Sequence, residues 1–442
     1  MAALAPLRSR VGATTTTSWS RAAIAAASAW MPADCHPSSL VARTRTIVTV
    51  ANVAAGTAIV IAPCRRPRLP RSLGVMQVVI VGGGIVGTMH AWFALGGGHH
   101  VIQIEADAAP RRATVRNFGL IWVSGRAPGR ELALALRARE LWEGIGSRAP
   151  GVGFRADGSL TVAHDDAAAK VLADVAARPD AAVRGFELLD AAAARRRNPS
   201  LRGDLKGALW CAQDAIVEPT AVLPALREVL SAGGGYRFIA GRRIVDVSTR
   251  AVRDHLGDRY DGDLVLVCPG AEHATLGPLG RDASLRRCRL QMLQTEPLGE
   301  RLATALADGD SLRYYPAFAG ETRDALPAPD DVVSTWGAQL LVAQRATGEL
   351  TIGDTHAYDE PFDFAVDEEP YAYLVERASA ILGRALPRVL RRWAGIYSQA
   401  ADGQVCLREE LASGVIAVTG LGGRGMTLAP AVAEQTFAEL AA

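Results

Sequence analysis

The feature that most constrains this chain is the run Val78-Val79-Ile80-Val81-Gly82-Gly83-Gly84-Ile85-Val86-Gly87, followed eighteen positions after Gly87 by an acid, Glu105. Four apolar residues before Gly82 suit a strand buried on both faces of a parallel sheet. Ile85 to Leu95 reads as an apolar helix, and Val101 to Ile104 as a second strand that ends on the acid. The spacing is that of a dinucleotide-binding βαβ unit. Gly82 permits the tight turn, Gly84 lets the backbone approach a pyrophosphate, and Gly87 lets the helix pack close to the strand. At Ile85 and Val86 the helix start turns unpaired N–H groups and a positive dipole end toward the phosphates. Glu105 is placed to accept hydrogen bonds from ribose hydroxyls.

With 442 residues and 49% hydrophobic content, the chain can bury a large core and is expected to divide into two domains. Its net charge of +2 hides an asymmetry: residues 1–75 hold nine arginines and one acid, Asp34, which leaves −6 on residues 76–442. That is not the footprint of a nucleic-acid binder. The six cysteines (Cys35, Cys64, Cys211, Cys268, Cys288, Cys406) form no CxxC pair, which fits thiols in a reducing, cytoplasmic setting rather than a disulfide framework or a metal site.

Residues 1–75 carry no sustained apolar period. Their Arg-, Ser- and Thr-rich, acid-poor composition matches a transit peptide. Thr46 to Ala62 is apolar but short for a membrane span, and a membrane role is not expected. Met76, two residues before the first core strand, offers a third reading, an over-extended start in a chain with 46 Arg and two Lys. On any of these readings the segment is expected to be disordered and without catalytic role.

Downstream, Phe154 to Ala163 reads as two strands around the turn Asp157-Gly158, and Tyr236 to Ser248 as one alternating strand. Asp263 to Ala271 reads as a buried strand ending in glycine, and Val415 to Thr419 as another that leads into the loop Gly420-Leu421-Gly422-Gly423-Arg424-Gly425 and a helix from Leu428 to Leu440. The first strand of a nucleotide fold lies near one end and its last glycine loop at the other, so the middle must hold a second domain. The expected architecture is α/β. Residues 76–155, 215–285 and 390–442 form a discontinuous nucleotide-binding domain, and 156–214 with 286–389 form an α+β substrate domain with a mixed or antiparallel sheet.

The fingerprint, the loop Thr114 to Gly119, the strand Leu264 to Gly270 and the closing segment Thr419 to Thr427 occur in the chain order of the D-amino acid oxidase and glycine oxidase superfamily, which residues 76–440 resemble. The resemblance implies a Rossmann-like FAD-binding domain of the GR2 type, with FAD held noncovalently. It also implies an amine or amino acid substrate, whose carbon–nitrogen bond is oxidised by hydride transfer to flavin N5. The resulting imine then hydrolyses to an aldehyde.

Arg116 to Trp122, Leu290 to Leu293, Gly348 to Tyr358 and Trp393 to Tyr397 are similar to a narrower subgroup, associated with phosphonate catabolism and 2-aminoethylphosphonate-type amines. Amino acid oxidases of the superfamily carry an Arg in the segment matching Ala394 to Tyr397, where it forks onto the substrate carboxylate. Here Tyr397 takes that place, which argues against an ordinary α-amino acid.

On this resemblance the flavin is expected to contact Thr114, Arg116, Asn117, Gly119, Gly270, Gly395, Gly420, Gly422, Gly423, Gly425, Met426 and Thr427, with Val245 reaching adenine through its backbone. Helix Leu428 to Leu440 would turn its dipole toward flavin N1 and C2=O. His356, beside Asp354, is the candidate proton acceptor or head-group ligand, although a structural histidine is equally open. Arg116 and Arg424 are candidate phosphonate clamps. Trp122, Tyr314, Tyr315 and Tyr397 are candidate pocket residues. Another small amine as substrate, or a non-catalytic flavin-binding redox protein, remains an alternative, and oxygen or another electron acceptor is open.

Overall fold

Burial on both faces accounts for the unbroken apolar run of the fingerprint strand. Gln77–Val81 lies between Leu264–Val267 and His100–Ile104, parallel to both, and Val78, Val79 and Ile80 are fully buried. The computed structural model describes residues 74–275, 284–401 and 403–441. The expectations placed on residues 1–73, including Thr46 to Ala62, Cys35 and Cys64, lie outside these residues.

Among the described residues the first sheet has six strands, in the order Leu407–Ala412, Val415–Thr419, Leu264–Val267, Gln77–Val81, His100–Ile104 and Tyr236–Ile239. All neighbours are parallel except the first pair. Helices Ile85–Gly96, Arg130–Arg148 and Gly425–Ala441 pack into one apolar core with it, built on Met89, Trp142, Leu266, Leu428 and Val432. This is the mixed α/β fold expected, with the first and last elements of the chain meeting in one domain.

The second sheet has eight strands: Val389–Ala400, Leu285–Pro297, Glu349–Gly353, Leu341–Gln344, Ala305–Ala307, Ser159–Ala163, Gly207–Cys211 and Phe186–Asp190. Its neighbours are antiparallel except Ala305–Ala307 with Ser159–Ala163. Val389–Ala400 lies wholly in this sheet, so the chain returns to the nucleotide sheet after Ala400 rather than at residue 390.

Two local expectations are corrected. Tyr236 to Ser248 is not one strand: Gly241, at φ 72, breaks it, and Ile244–Ser248 joins a separate antiparallel sheet with Ala251–Asp254 and Arg259–Asp261. Phe154 to Ala163 is not a hairpin. Gly158 does turn the chain at φ 64, but Arg155 pairs with Ile216 while Ser159–Ala163 pairs with Gly207–Cys211. No helix among the described residues is long and apolar enough to cross a membrane.

His90 ties the fingerprint helix to the C-terminal helix. Its Nδ1 donates to the Val86 carbonyl at 2.8 Å, and its Nε2 lies 3.1 Å from Thr436 Oγ1. Desolvation, aided by the nearby Arg408 charge, lowers its pKa to about 4 against the opposing Val86 bond. The unfolded chain therefore binds a proton that the folded chain refuses between pH 6.5 and about 4, and stability falls as pH falls through that window. The loss is on the order of 3 kcal/mol. The thermal unfolding midpoint is expected to drop from pH 7 to 4.5, and a His90→Gln variant to show a shallower drop; equal slopes would remove His90 from this role.

Candidate active site

The glycines of the fingerprint divide into two kinds. A Cβ on Gly82, at φ 112, would stand 2.2 Å from the Cys268 carbonyl oxygen, and one on Gly87 would stand 2.1 Å from the Gly82 oxygen. Both are required by the protein's own packing. A Cβ on Gly84 would meet only Thr114 Oγ1, at 3.3 Å, and would otherwise project into open space. Helix Ile85–Gly96 starts there with no side-chain cap and no acid in its first turn. Ile85 N–H donates to Thr114 Oγ1 at 3.0 Å, and Glu105 secures the turn from behind by accepting from Gly83 N–H at 2.7 Å. A helix start with no cap from its own N-cap residue and no acid in its first turn fits a pyrophosphate at the N–H groups that Thr114 does not take.

A cavity of about 450 Å³ opens at this helix start and runs across the face of the eight-stranded sheet. Of the sequence-derived candidates, Gly84, Ile85, Val86, Gly87, Thr114, Arg116, Asn117, Trp122, Gly270, Tyr314, Tyr315, His356, Gly395, Tyr397, Gly420, Gly422, Gly423, Arg424, Gly425 and Met426 line it. Five others do not. Gly82 and Glu105 lie behind the turn. Gly119 is pressed on the Val217 oxygen, which a Cβ would approach to 2.0 Å. Thr427 is buried, bonded to Trp122 N–H at 2.9 Å and to the Leu120 carbonyl at 3.3 Å. Val245 is 54% exposed on the three-stranded sheet.

Several lining residues work on the protein itself. Asn117 folds its loop by donating to the Ala113 and Thr114 carbonyls and accepting from Gly119 N–H. Arg345, a half-buried residue outside every motif of the sequence, donates to the Asn117 and Phe118 carbonyls and so fixes that loop to the strand pair Leu341–Gln344 and Glu349–Gly353. Arg424 donates to the Leu421 and Gln404 carbonyls and lies 3.3 Å from Glu131, which also faces Arg126 at 3.5 Å. Its guanidinium shapes the terminal glycine loop, and little of it is left to clamp a substrate.

The far end of the cavity is aromatic and acidic. Tyr314 stacks on His356 at 4.1 Å and meets Tyr315 edge-on at 5.0 Å, and Trp122 lies 6.0 Å from Tyr315. His356 Nδ1 donates to the Gly337 carbonyl at 2.9 Å, which leaves Nε2 facing Asp354 Oδ2 at 3.7 Å. Gln339 donates to Asp354 Oδ1 at 3.1 Å. Burial pushes the Asp354 carboxyl above its usual range, with His356 and Gln339 opposing. Burial also keeps Tyr397 and Tyr315 protonated. Trp122 Nε1, Gln339 Oε1 and Tyr397 Oη are buried cavity atoms without a hydrogen-bond partner among the described residues. Such atoms are expected where a ligand completes the site. Asp354 lies in the segment Gly348 to Tyr358 that the sequence singled out for His356, whereas Gln339 carries no motif and only the sheet brings it to Asp354 and Tyr315.

Residues 77–439 match the family model described as FAD dependent oxidoreductase, DAO. The chain belongs to the DAO family. This oxidoreductase therefore binds FAD, in keeping with the acid-free helix start and the glycine loop. Cys406, near that loop, does not line the cavity.

Two curated relatives of the enzyme are an opine oxidase subunit from Rhizobium meliloti and the D-amino-acid oxidase of Streptomyces coelicolor. The first is 26% identical over 74% of this chain and 83% of that protein, and the second 28% identical over 81% and 95%. The fold is similar to glycine oxidase from Geobacillus kaustophilus, with a TM-score of 0.67 and 20% identity over 83% of this chain and 94% of that one. It is also similar to L-proline dehydrogenase from P. horikoshii, with a TM-score of 0.66 and 18% identity over 81% and 91%.

The two kinds of glycine separate by experiment. Gly84→Ala is expected to leave the unfolding temperature nearly unchanged and weaken flavin binding about tenfold or more. Gly87→Ala is expected to lower stability by about 1–3 kcal/mol through overpacking. Flavin content and thermal unfolding measured on the same samples check both, and a Gly84→Ala protein that keeps its flavin would move the pyrophosphate elsewhere.

Proposed function

We propose that this DAO-family enzyme oxidises a small primary or secondary amine bearing an anionic group, specifically an aminophosphonate or its N-methyl derivative. The observation that carries this reading is the pairing of a buried carboxylate, Asp354, with a stretch of strand from Trp393 to Gln399 that contributes no cation of its own. From Trp393 to Gln399 the residues sharing one face of Val389–Ala400 are Trp393, Gly395, Tyr397 and Gln399. An α-carboxylate, which lies one carbon from the amine, finds no guanidinium on that stretch, so the substrate's anion is set further from its nitrogen, while the ammonium finds a carboxylate and aromatic faces.

FAD, when bound, supplies the acceptor for the hydride that leaves the carbon next to nitrogen. The residues prepare the amine for that loss. Asp354 Oδ2 and His356 Nε2 take the ammonium proton, because a carboxyl raised by burial is a stronger base than a free one. Trp122, Tyr314 and Tyr315 would surround the amine and exclude water, and the peptide groups of Gly422 to Gly425 would hold the cofactor. The imine product hydrolyses to an aldehyde, and an N-methylated substrate releases methylamine.

Anaerobic mixing of the full-length holoenzyme with 2-aminoethylphosphonate, its N-methyl derivative, glycine, D-alanine and an opine tests this through the flavin's visible absorption. Bleaching at least tenfold faster with the phosphonates is expected. Faster bleaching by the amino acids or the opine would overturn the aminophosphonate assignment. The rate is expected to fall as pH drops through a limb lying above the usual carboxylate range, since Asp354 must be ionised to accept the proton. Asp354→Asn should lose that limb and about 10²–10⁴ in rate.

A further inference from the structure

The register of the longest strand pair brings to the cavity an arginine that no sequence motif marks. Cys288 pairs with Tyr397, Leu290 with Gly395, and Arg286 with Gln399. Because side chains alternate along a strand, Arg286 lies on the same face as Tyr397, one rung further on and on the neighbouring strand. It lines the cavity at its exposed rim. Its guanidinium carbon sits 4.0 Å from the centre of the Tyr358 ring, and Tyr358 Oη donates to Gln399 Oε1 at 3.2 Å. The aromatic platform under the guanidinium is thus fastened to the adjacent strand.

Stacking occupies a face of the guanidinium and leaves its N–H edge for a ligand. The other arginines of the cavity are differently engaged. Arg424 has carbonyl and carboxylate partners, Arg126 donates to the Trp122 carbonyl at 2.7 Å and faces Glu131 at 3.5 Å, and Arg116 donates to the Ala394 carbonyl at 2.8 Å. No carboxylate or carbonyl among the described residues accepts a hydrogen bond from Arg286. The segment that carries Asp354 also carries Tyr358, and it runs beside Leu285–Pro297 through the paired bridge between Arg289 and Ala357. A carboxylate that attracts the amine and a guanidinium with open donors therefore lie on one wall of the same cavity.

We propose that Arg286 anchors the oxyanion of the substrate and sets the preference for anionic over neutral amines. This rests on the reading of the site as one for a small anionic amine. The ligand chemistry is an oxyanion presenting two acceptors to the guanidinium edge, as a phosphonate or a carboxylate does. Tyr358 and Gln399 are positioning residues that hold the guanidinium plane.

The test uses full-length holoenzyme, wild type, Arg286→Lys and Arg286→Gln, titrated with methylphosphonate and separately with acetate while the flavin spectrum is followed. Arg286→Gln is expected to weaken the preferred anion on the order of ten- to a hundredfold, with Arg286→Lys intermediate and flavin content unchanged. Tighter wild-type binding of methylphosphonate assigns the phosphonate as the natural anion, and tighter binding of acetate assigns a carboxylate. Equal affinity in wild type and Arg286→Gln for both anions overturns the proposal.

Reduction by 2-aminoethylphosphonate and by propylamine, run in parallel, separates this inference from the substrate assignment. A KM increase in Arg286→Gln larger for the phosphonate than for propylamine supports the anchor. If 2-aminoethylphosphonate reduces wild type and Arg286→Gln with the same KM, the substrate assignment stands and the anchor falls. If it reduces neither while methylphosphonate binding still depends on Arg286, the anchor stands and the aminophosphonate assignment falls.

Discussion

The antiparallel ladder between Leu285–Pro297 and Val389–Ala400 carries the rest of this structure. It is held in one register over ten paired residues, from Leu285 with Ala400 to Gln294 with Arg391, and joins segments far apart in sequence, so its formation meets a loop-closure cost that local contacts do not. Once formed, its alternation decides what the cavity contains. Arg286, Leu290, Met292, Gly395, Tyr397 and Gln399 reach it from this pair of strands. A slip of one residue would turn this set to the opposite face. Arg116 packs against the ladder at Gly395 and donates to the neighbouring Ala394 carbonyl at 2.8 Å.

Buried polar clamps then hold the irregular segments that a sheet cannot hold. Asp214 is fully buried and accepts from Val123 N–H, Ser124 N–H and Ser159 Oγ. Arg184, almost completely buried, donates to the Val123, Ser124 and Arg126 carbonyls. Together they pin the turn that brings Trp122 and Arg126 to the cavity. Glu131 sits between Arg126 and Arg424 and couples that turn to the terminal glycine loop. Each clamp satisfies backbone groups that would otherwise be buried without partners. The cavity owes its shape to these bonds as much as to the apolar core.

The legibility of the site follows the range of the interactions that build it. Gly82 and Gly87 were readable because each is required by a contact within or beside one βαβ unit. Glu105 was readable as the acid that ends the second strand, yet its carboxylate is used on the turn, at Gly83 N–H. Thr427 and Gly119 belong to recognisable motifs but serve packing. Motif membership identifies a segment; it does not say which side of the segment faces the ligand. Val245 illustrates the same limit on a larger scale, because Gly241 moves its strand to another sheet.

By itself the sequence determined the nucleotide-binding unit, the interrupted architecture and the FAD-dependent class. Strand burial, helix period and glycine turns are properties of short stretches, and their order along the chain is visible in the text. Only the tertiary structure decided the substrate end of the cavity. Gln339, Arg345 and Arg286 carry no local signal, and Asp354 is marked only as a neighbour of His356. Their placement depends on the register of the eight-stranded sheet and on a loop anchored to it. It decided as well that the Arg424 guanidinium is spent on the fold while that of Arg286 is not. A residue's hydrogen-bond partners are set by what the chain brings beside it, and no composition or spacing records them.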